Sequence, residues 1–598
     1  MSSLKKKVRR VRLLVVVVGL SIVFLGLVGR LTYLMGFQGA QFKLKALNKW
    51  TRTIEIAPKR GTIYDRNGKE LALSINVYRV DADMSVLKDY IKNKKLSEEE
   101  VKSKLCDILA MDKGQFTKIF DSKDKEGKPS QFVAFKRKVD KAAVDAIKAL
   151  KLKGMLISDD TDRYYTNNSF LSHVIGHTNA QGQGVTGVEL SYNSVLTGMP
   201  GIKVVETDAA SNDLPFSESV VIKPVDGKNI QLTIDERIQE VAETVAKQTL
   251  EENKAKSVSI TIMDPKNGEI LGMVNYPEYN LNNPYGEGGT DKDIQESWKN
   301  RAVSNIFEPG SIFKVITSAA ALANNSVNDS DRFECKGSTK IANTTLKCDN
   351  EEPHGIETFS DIIKNSCNMG FIQLGNKIGK ENFYNYTKLM GFGQKTGIDL
   401  PGESGGLIRD VKSAGPVEFA TNSYGQGVAV TQVQYMAAFN AVANGGTWIR
   451  PHIMKEVSHI DDDKEVVDKK YDNYGARTVL DKEKAAQLRT YLERVVEEGT
   501  STATKIPGYH IAGKTGTAKK VNTENGGYED GKYISSFAGM APTSDPKFTL
   551  IVTVEEPSGG QYYASKTAVP AAKKLFTELF RIMDVAPEST GAAGNTKK

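Results

Sequence analysis

The sequence predicts an α/β protein with three parts. A membrane-crossing helix comes first, an elongated mixed domain follows, and the chain ends in an α+β sandwich with a five-stranded antiparallel sheet flanked by helices. An uncharged apolar run from Leu13 to Gly29 follows a cluster of basic residues. Five runs in the C-terminal half have strand character: SVSITIMD, GEILGMVNY, HIAGKTGTAKK, SSFAGMA and FTLIVTVEE. Helical stretches lie before, between and after those five, which is the pattern of a sheet covered by helices.

The chain has 598 residues, 39% hydrophobic and 26% charged, which is ordinary globular composition and enough for several domains. Its net charge of +7 comes mostly from Lys5, Lys6, Lys7, Arg9, Arg10 and Arg12. The remainder is nearly neutral, so no nucleic-acid partner is expected. Six histidines are scattered, and the chain has no HExxH and no CxxC. Neither a metal site nor a cofactor is therefore expected.

Taken in order, residues 1–12 read as a basic cytoplasmic tail and 13–35 as the anchor. The apolar run continues past Arg30 through LTYLM, long enough to span a bilayer. The basic cluster in front sets the N-terminus in the cytoplasm and everything after about residue 36 outside. The competing reading, a cleaved signal peptide, needs a small-x-small site that GFQGA at 36–40 matches poorly. Arg30 either snorkels to the outer interface or meets a membrane partner.

Residues 36–230 read as a pedestal. Asp65-Arg66-Asn67-Gly68 is a turn between two strand-like runs. From Leu87 to Leu152 the chain is lysine-rich and amphipathic, an insertion without chemistry. The catalytic region is expected over 231–583, beginning with a long helix near Asp235. Pro265-Lys266-Asn267-Gly268 joins the first two strands as a hairpin. Helices are expected after Ser311, over DKEKAAQLRTYLERVVEEG with Asp481 as cap and Gly499 as stop, and over 568–583. Residues 584–598 read as a disordered tail.

The chemistry centres on Glu308-Pro309-Gly310-Ser311-Ile312-Phe313-Lys314. Pro309-Gly310 breaks the chain before an alanine-rich helix, so Ser311 sits near a helix N-terminus with Lys314 one turn on. A hydroxyl beside an amine suggests a nucleophile and its base; a serine cap with a surface lysine is the bland alternative. Ser366-Cys367-Asn368 and Lys514-Thr515-Gly516-Thr517 follow in order. The ordered triple S-x-x-K, S-x-N and K-T-G is the signature of the penicillin-recognising serine enzymes.

With these motifs the chain resembles the class B penicillin-binding proteins, monofunctional peptidoglycan D,D-transpeptidases. The resemblance extends to Arg60, Gly61, Asp65, Arg66, Gly68 and Leu71, and to Gly184, Gly187, Glu189, Tyr192, Leu196, Gly198 and Gly201. Thr166 stands where the family usually has proline. TGIDLPGESGGL at 396–407 and YGQGVAVTQ from 424 match cleft loops, and Glu308 before Pro309 resembles the division and sporulation branch.

The resemblance implies roles. Ser311 is the nucleophile, and Lys314 is its base, made neutral by burial and by the charge of Lys514. Ser366 relays a proton to the leaving amine, and Asn368 holds the substrate amide and the lysine. Lys514, Thr515 and Thr517 bind the terminal carboxylate of a stem peptide ending in D-Ala-D-Ala, Gly516 allows close approach, and the N–H groups of Ser311 and Thr517 form the oxyanion hole. β-Lactams are the implied covalent inhibitors. A polytopic glycosyltransferase of the SEDS type is the implied membrane partner, since no glycosyltransferase-sized segment is present. A β-lactam sensor, a β-lactamase and a mainly scaffolding protein remain as alternatives; Glu403, roughly where a hydrolytic glutamate might be sought, reads as structural. Cys335 and Cys348, in a polar stretch outside the membrane, are expected to form a disulfide with a regulatory effect on the cleft, the alternative being two unpaired small apolar residues.

Overall fold

The computed structural model describes residues 2–36, 38, 51–206, 219–286, 288–349, 352–522 and 526–588. The expected tail beyond 588 lies outside the described residues. Ser2–Gly36 is one continuous helix. Its apolar part, Val11–Gly36, has 26 residues, which at 1.5 Å per residue is about 39 Å and exceeds a hydrocarbon core of roughly 30 Å. The guanidinium of Arg30 lies 5.9 Å from the ring centre of Tyr33.

The chain divides into two compact units, both discontinuous in sequence. The first takes Met1–Lys59, Ile75–Asp162 and Met199–Val225. Its lysine-rich stretch folds into four short helices, Met84–Asn93, Glu98–Ile108, Lys113–Phe120 and Lys141–Ala149. Each starts where a side chain replaces a missing backbone partner: Asp83, Ser97, Asp112 and Asp140 all accept from N–H groups of the first turn. Their apolar faces meet strand Phe132–Val139 in a core that includes Leu87, Leu105, Phe116, Phe120, Phe135 and Ile147. A separate antiparallel sheet pairs Thr51–Ile56, Gly201–Glu206 and Ser219–Ile222.

The second unit takes Arg60–Ser74, Arg163–Gly198 and Asp226–Lys598. All five expected strands form, as Ser257–Met263, Ile270–Tyr276, Ala512–Val521, Tyr528–Ala541 and Phe548–Glu555. The sheet is antiparallel throughout, with Phe548–Glu555 in the middle and Ala512–Val521 at one edge. Period-2 alternation explains its composition. Val258, Ile260, Ile262, Leu550, Val552 and Val554 join one core with helices Glu236–Asn253 and Ala568–Ile582. The opposite face carries hydroxyls that meet a buried helix, Gln432–Ala443. Thr261 Oγ1 donates to Gln432 Oε1 at 2.7 Å, and Gln432 Nε2 donates to Thr553 Oγ1 at 3.0 Å. Thr549 Oγ1 donates to Asn440 Oδ1 at 2.5 Å. Polar residues buried between two layers are thus satisfied in pairs.

Asp235 caps its helix through its carboxylate, and helix Lys482–Glu497 begins after Asp481, whose side chain makes no cap hydrogen bond. The Arg60 segment and the Arg163–Gly198 segment belong to this unit rather than to the first. What holds them is Glu189, fully buried, whose carboxylate accepts from Arg60 Nε and Arg163 Nε, each at 2.6 Å. Gly61 passes so close to Lys228 that a Cβ would lie 1.8 Å from its carbonyl oxygen, so only glycine fits. At Thr166 the chain uses what proline lacks, an N–H that donates to Leu71 O at 3.2 Å.

Candidate active site

The Ser311 segment is a 3-10 turn, Gly310–Phe313, running into helix Lys314–Ala323. Gly310 has φ +54 and donates its N–H to Gly425 O at 3.1 Å. A Cβ on Gly425 would sit 2.0 Å from the Gly310 oxygen, so the two backbones touch only because that position is glycine. Tyr435 Oη donates to Ile312 O at 2.9 Å and Thr317 Oγ1 to Ser423 O at 2.8 Å, fastening turn and helix. Glu308 accepts from Gly427 N at 3.0 Å and from the Tyr528 hydroxyl, while burial raises its carboxyl pKa. Ser311 is half-buried and Lys314 fully buried.

The K-T-G strand runs beside this turn. A Cβ on Gly516 would meet Pro309 O at 2.7 Å, and one on Gly310 would lie 3.2 Å from Thr517 O. Because this is the edge strand, its outer backbone groups are not used by the sheet. The Thr515 and Thr500 hydroxyls are 3.0 Å apart, and Thr517 Oγ1 accepts from Ala564 N at 3.1 Å.

Ser366 joins the other two motifs. It follows helix Phe359–Lys364 and has φ +56, a left-handed conformation that costs a non-glycine residue about 1–3 kcal/mol. Lys314 Nζ donates to Ser366 O at 2.6 Å and to Asn368 Oδ1 at 2.7 Å, and lies 3.1 Å from Ser366 Oγ. Lys514 Nζ approaches the same hydroxyl at 2.9 Å. One hydroxyl thus sits between two buried amines.

Burial pushes the Lys314 amine down to about 8. Lys514 is driven well below its ordinary value by burial and then by the charge of Lys314. Burial thus favours the neutral form of both amines, not of Lys314 alone. Among the described residues Lys514 Nζ has two acceptors, Ser366 Oγ and Thr515 O, whereas Lys314 has three from Ser366 and Asn368. A carboxylate arriving at Lys514 would supply the counter-charge it lacks.

Glu403 is turned into its own loop, accepting from Thr396 N at 2.7 Å, Thr396 Oγ1 at 2.5 Å and Gly397 N at 3.1 Å. That is the structural role expected of it. The expected Cys335–Cys348 disulfide is not formed, and no other pair of the four cysteines is bridged. Cys335 is buried in the main core rather than on a polar loop. Sequence reasoning also missed Thr500, Tyr424, whose ring centre lies 6.0 Å from Lys314 Nζ, and the strained backbone of Ser366. The Y-G-Q-G stretch signalled the Tyr424 region; Thr500 left no signal.

A serine on a turn that runs into a buried helix, a buried lysine pair and an edge strand carrying K-T-G fit a serine acyl-transfer enzyme of the penicillin-recognising kind. Residues 258–577 match the penicillin-binding protein transpeptidase domain and residues 55–232 the penicillin-binding protein dimerisation domain. The chain belongs to the penicillin-binding protein family, in its class B. Among its relatives, stage V sporulation protein D of Bacillus subtilis is 36% identical over 97% of this chain and 86% of its own length. The peptidoglycan D,D-transpeptidase FtsI of Escherichia coli is 28% identical over 94% of this chain and 90% of its own. A peptidoglycan synthetase of Bifidobacterium adolescentis superposes with a TM-score of 0.70 at 25% identity, over 90% of this chain and 98% of that one.

Proposed function

We propose that the protein is a serine-type peptidoglycan D,D-transpeptidase that cross-links stem peptides through an acyl-enzyme and is acylated by β-lactams. The observation that carries the mechanism is the Ser366 hydroxyl held 3.1 Å from Lys314 Nζ and 2.9 Å from Lys514 Nζ. Neutral Lys314 takes the Ser311 proton as Oγ attacks the penultimate D-Ala carbonyl. The N–H groups of Ser311 and Thr517 receive the developing oxyanion. As the C–N bond breaks, the proton passes through Ser366 to the departing D-Ala amine. An acceptor amine from a neighbouring stem then reverses the sequence and frees Ser311. Lys514, Thr515 and Thr517 bind the terminal carboxylate, and Asn368 fixes Lys314 and the substrate amide. The engagement of Glu403 with Thr396 and Gly397 leaves no carboxylate there to activate water, which favours transfer to an amine over hydrolysis.

We read 1–12 as cytoplasmic, 13–35 as a single-pass anchor, 36–230 as pedestal and 231–583 as the transpeptidase domain outside the membrane. The names of the relatives support a place in septal division or sporulation, with a SEDS-type glycosyltransferase supplying glycan. Labelling the full chain with a fluorescent penicillin and mapping the modified peptide tests the nucleophile. Label is expected on Ser311 and absent in Ser311→Ala; label persisting in that variant sinks the assignment.

A further inference from the structure

Three of the four cysteines in the chain meet at one place, together with a histidine. The sulfurs of Cys335, Cys348 and Cys367 and a ring nitrogen of His354 all lie within 4.8 Å of one another. Separate elements deliver them. Cys335 ends strand Arg332–Cys335 and stands opposite Gly355, the first residue of strand Gly355–Thr358. His354 immediately precedes that Gly355. Cys348 returns from the hairpin of Ser338–Ile341 and Thr344–Lys347, its N–H donating to Gly337 O at 2.8 Å. Its sulfur is 3.8 Å from His354 Nδ1. Cys367 is the N-cap of helix Asn368–Ile378, its sulfur accepting from Gly370 N at 3.3 Å.

A disulfide accounts for two sulfurs and leaves a third sulfur and an imidazole beside it without a reason. A single ion accounts for all four. Three thiolates and one imidazole are a donor set for zinc, with Zn–S about 2.3 Å and Zn–N about 2.0–2.1 Å. Tetrahedral geometry then places donors roughly 3.5–3.8 Å apart, so a group within 4.8 Å closes by about 1 Å. A second feature points to a cation. Glu357 is 3% exposed, and among the described residues its Oε2 has no nitrogen or oxygen partner; it lies beside the Cys367 thiol and 3.8 Å from His354 Nδ1. Its other oxygen accepts from Asn365 Nδ2 at 2.9 Å. A buried carboxylate left open beside the sulfurs is expensive unless positive charge sits near it.

We propose that Cys335, Cys348, His354 and Cys367 bind one structural Zn²⁺ that braces the S-x-N motif. A metal is not expected from the sequence because the donors are spread along the chain without a CxxC, and the strand pairing is what brings them together. Each thiol gives its proton to solvent as its sulfur binds, with no change of oxidation state. The four protein donors close the coordination sphere, so the ion holds structure and activates no water. Cys367 lies between Ser366 and Asn368, the two residues that accept from Lys314. Gripping Cys367 holds the strained Ser366 backbone and both acceptors in place. The cysteines and His354 are thus positioning residues for the acylation machinery.

The test uses the detergent-solubilised full chain, isolated under thiol-protecting conditions and passed over a desalting column. Elemental analysis is expected to find about one zinc per chain. Exchange for Co²⁺ is expected to give tetrahedral visible bands with thiolate charge transfer in the near ultraviolet. Cys348→Ser and His354→Gln should each lower zinc occupancy against a competing chelator by about tenfold or more, and Cys106→Ser should leave it unchanged. If the variants do not fold, the cobalt spectrum of the parent chain decides. The proposal is overturned by a chain with three free thiols that retains no zinc when offered one equivalent. A Cys335–Cys348 disulfide in protein taken from cells, zinc unaffected by both ligand variants, or an octahedral cobalt spectrum also overturns it. Penicillin labelling of Ser311 is scored separately, so failure here is distinguishable from failure of the transpeptidase reading.

Discussion

At the scale of single residues, the site is a problem of two amines and one proton. Lys314 with a pKa of about 8 is neutral in about one molecule in ten at pH 7. A base with a lowered pKa becomes active as pH rises, so the acylation rate constant should climb from pH 6 and level off above about 8.5. Stopped-flow measurement with a chromogenic β-lactam reads this directly. Lys314→Arg should abolish acylation, since a guanidinium keeps its proton at working pH. Lys514→Arg should retain part of the activity and place a permanent charge beside Lys314, moving the midpoint of the pH profile downward. Equal, near-wild-type rates in both variants, or an unmoved midpoint in Lys514→Arg, would refute the coupling. The motif residues were legible because their chemistry is local to short signatures. The sharing of the proton was not, because it depends on which lysine has acceptors, and those come from Ser366 and Asn368, far along the chain.

At the scale of elements, the edge strand and the Ser311 turn fit only because residue 516 has no side chain. Gly516→Ala puts a methyl 2.7 Å from Pro309 O. Backbone cannot move aside as a side-chain tip can, so strand and turn must separate. Acylation should fall at least about tenfold while the fold survives, the strain being of order 1–3 kcal/mol. Circular dichroism paired with penicillin labelling checks this, and wild-type labelling would contradict it. All five strands could be read from sequence, since β-branched runs and a Pro-Lys-Asn-Gly hairpin are local signals. The meeting of Cys335, Cys348, His354 and Cys367 could not, because it is made by the pairing of Arg332–Cys335 with Gly355–Thr358 across a hairpin excursion. The polar flanks of Cys335 suggested a surface loop; the strand turns that cysteine inward while Glu334 and Lys336 stay outside.

At the scale of the whole molecule, Glu189 ties Arg60 and Arg163 into the unit that carries the catalytic residues. Arg60 and Glu189 were visible in the sequence only as resemblance to a family, and Arg163 carried no signal; nothing local says that a carboxylate and two guanidiniums so far apart form one buried group. Removing one partner of such a group strands the other charges, so Glu189→Ala should lose about 3–5 kcal/mol of stability. Urea unfolding of the full chain measures it, and a loss under about 1 kcal/mol would show the group to be dispensable. The anchor is tested in cells. Replacing residues 13–35 by an unrelated single span should leave penicillin labelling intact but impair growth or sporulation, and full function would show that the helix only tethers.

The order in which the sheet is threaded bears on how the chain is made. Its middle strand, Phe548–Glu555, lies close to the C-terminus, and it alone joins Ser257–Met263 to Tyr528–Ala541. During synthesis the early strands therefore wait for a partner hundreds of residues away, a long-range closure that makes folding slow. Until that partner arrives, the Lys514 strand has no finished sheet to lie on. Any chain that stalls or is clipped before about residue 548 is left with an open sheet rather than a weakened enzyme, so partial products should form no acyl-enzyme at all.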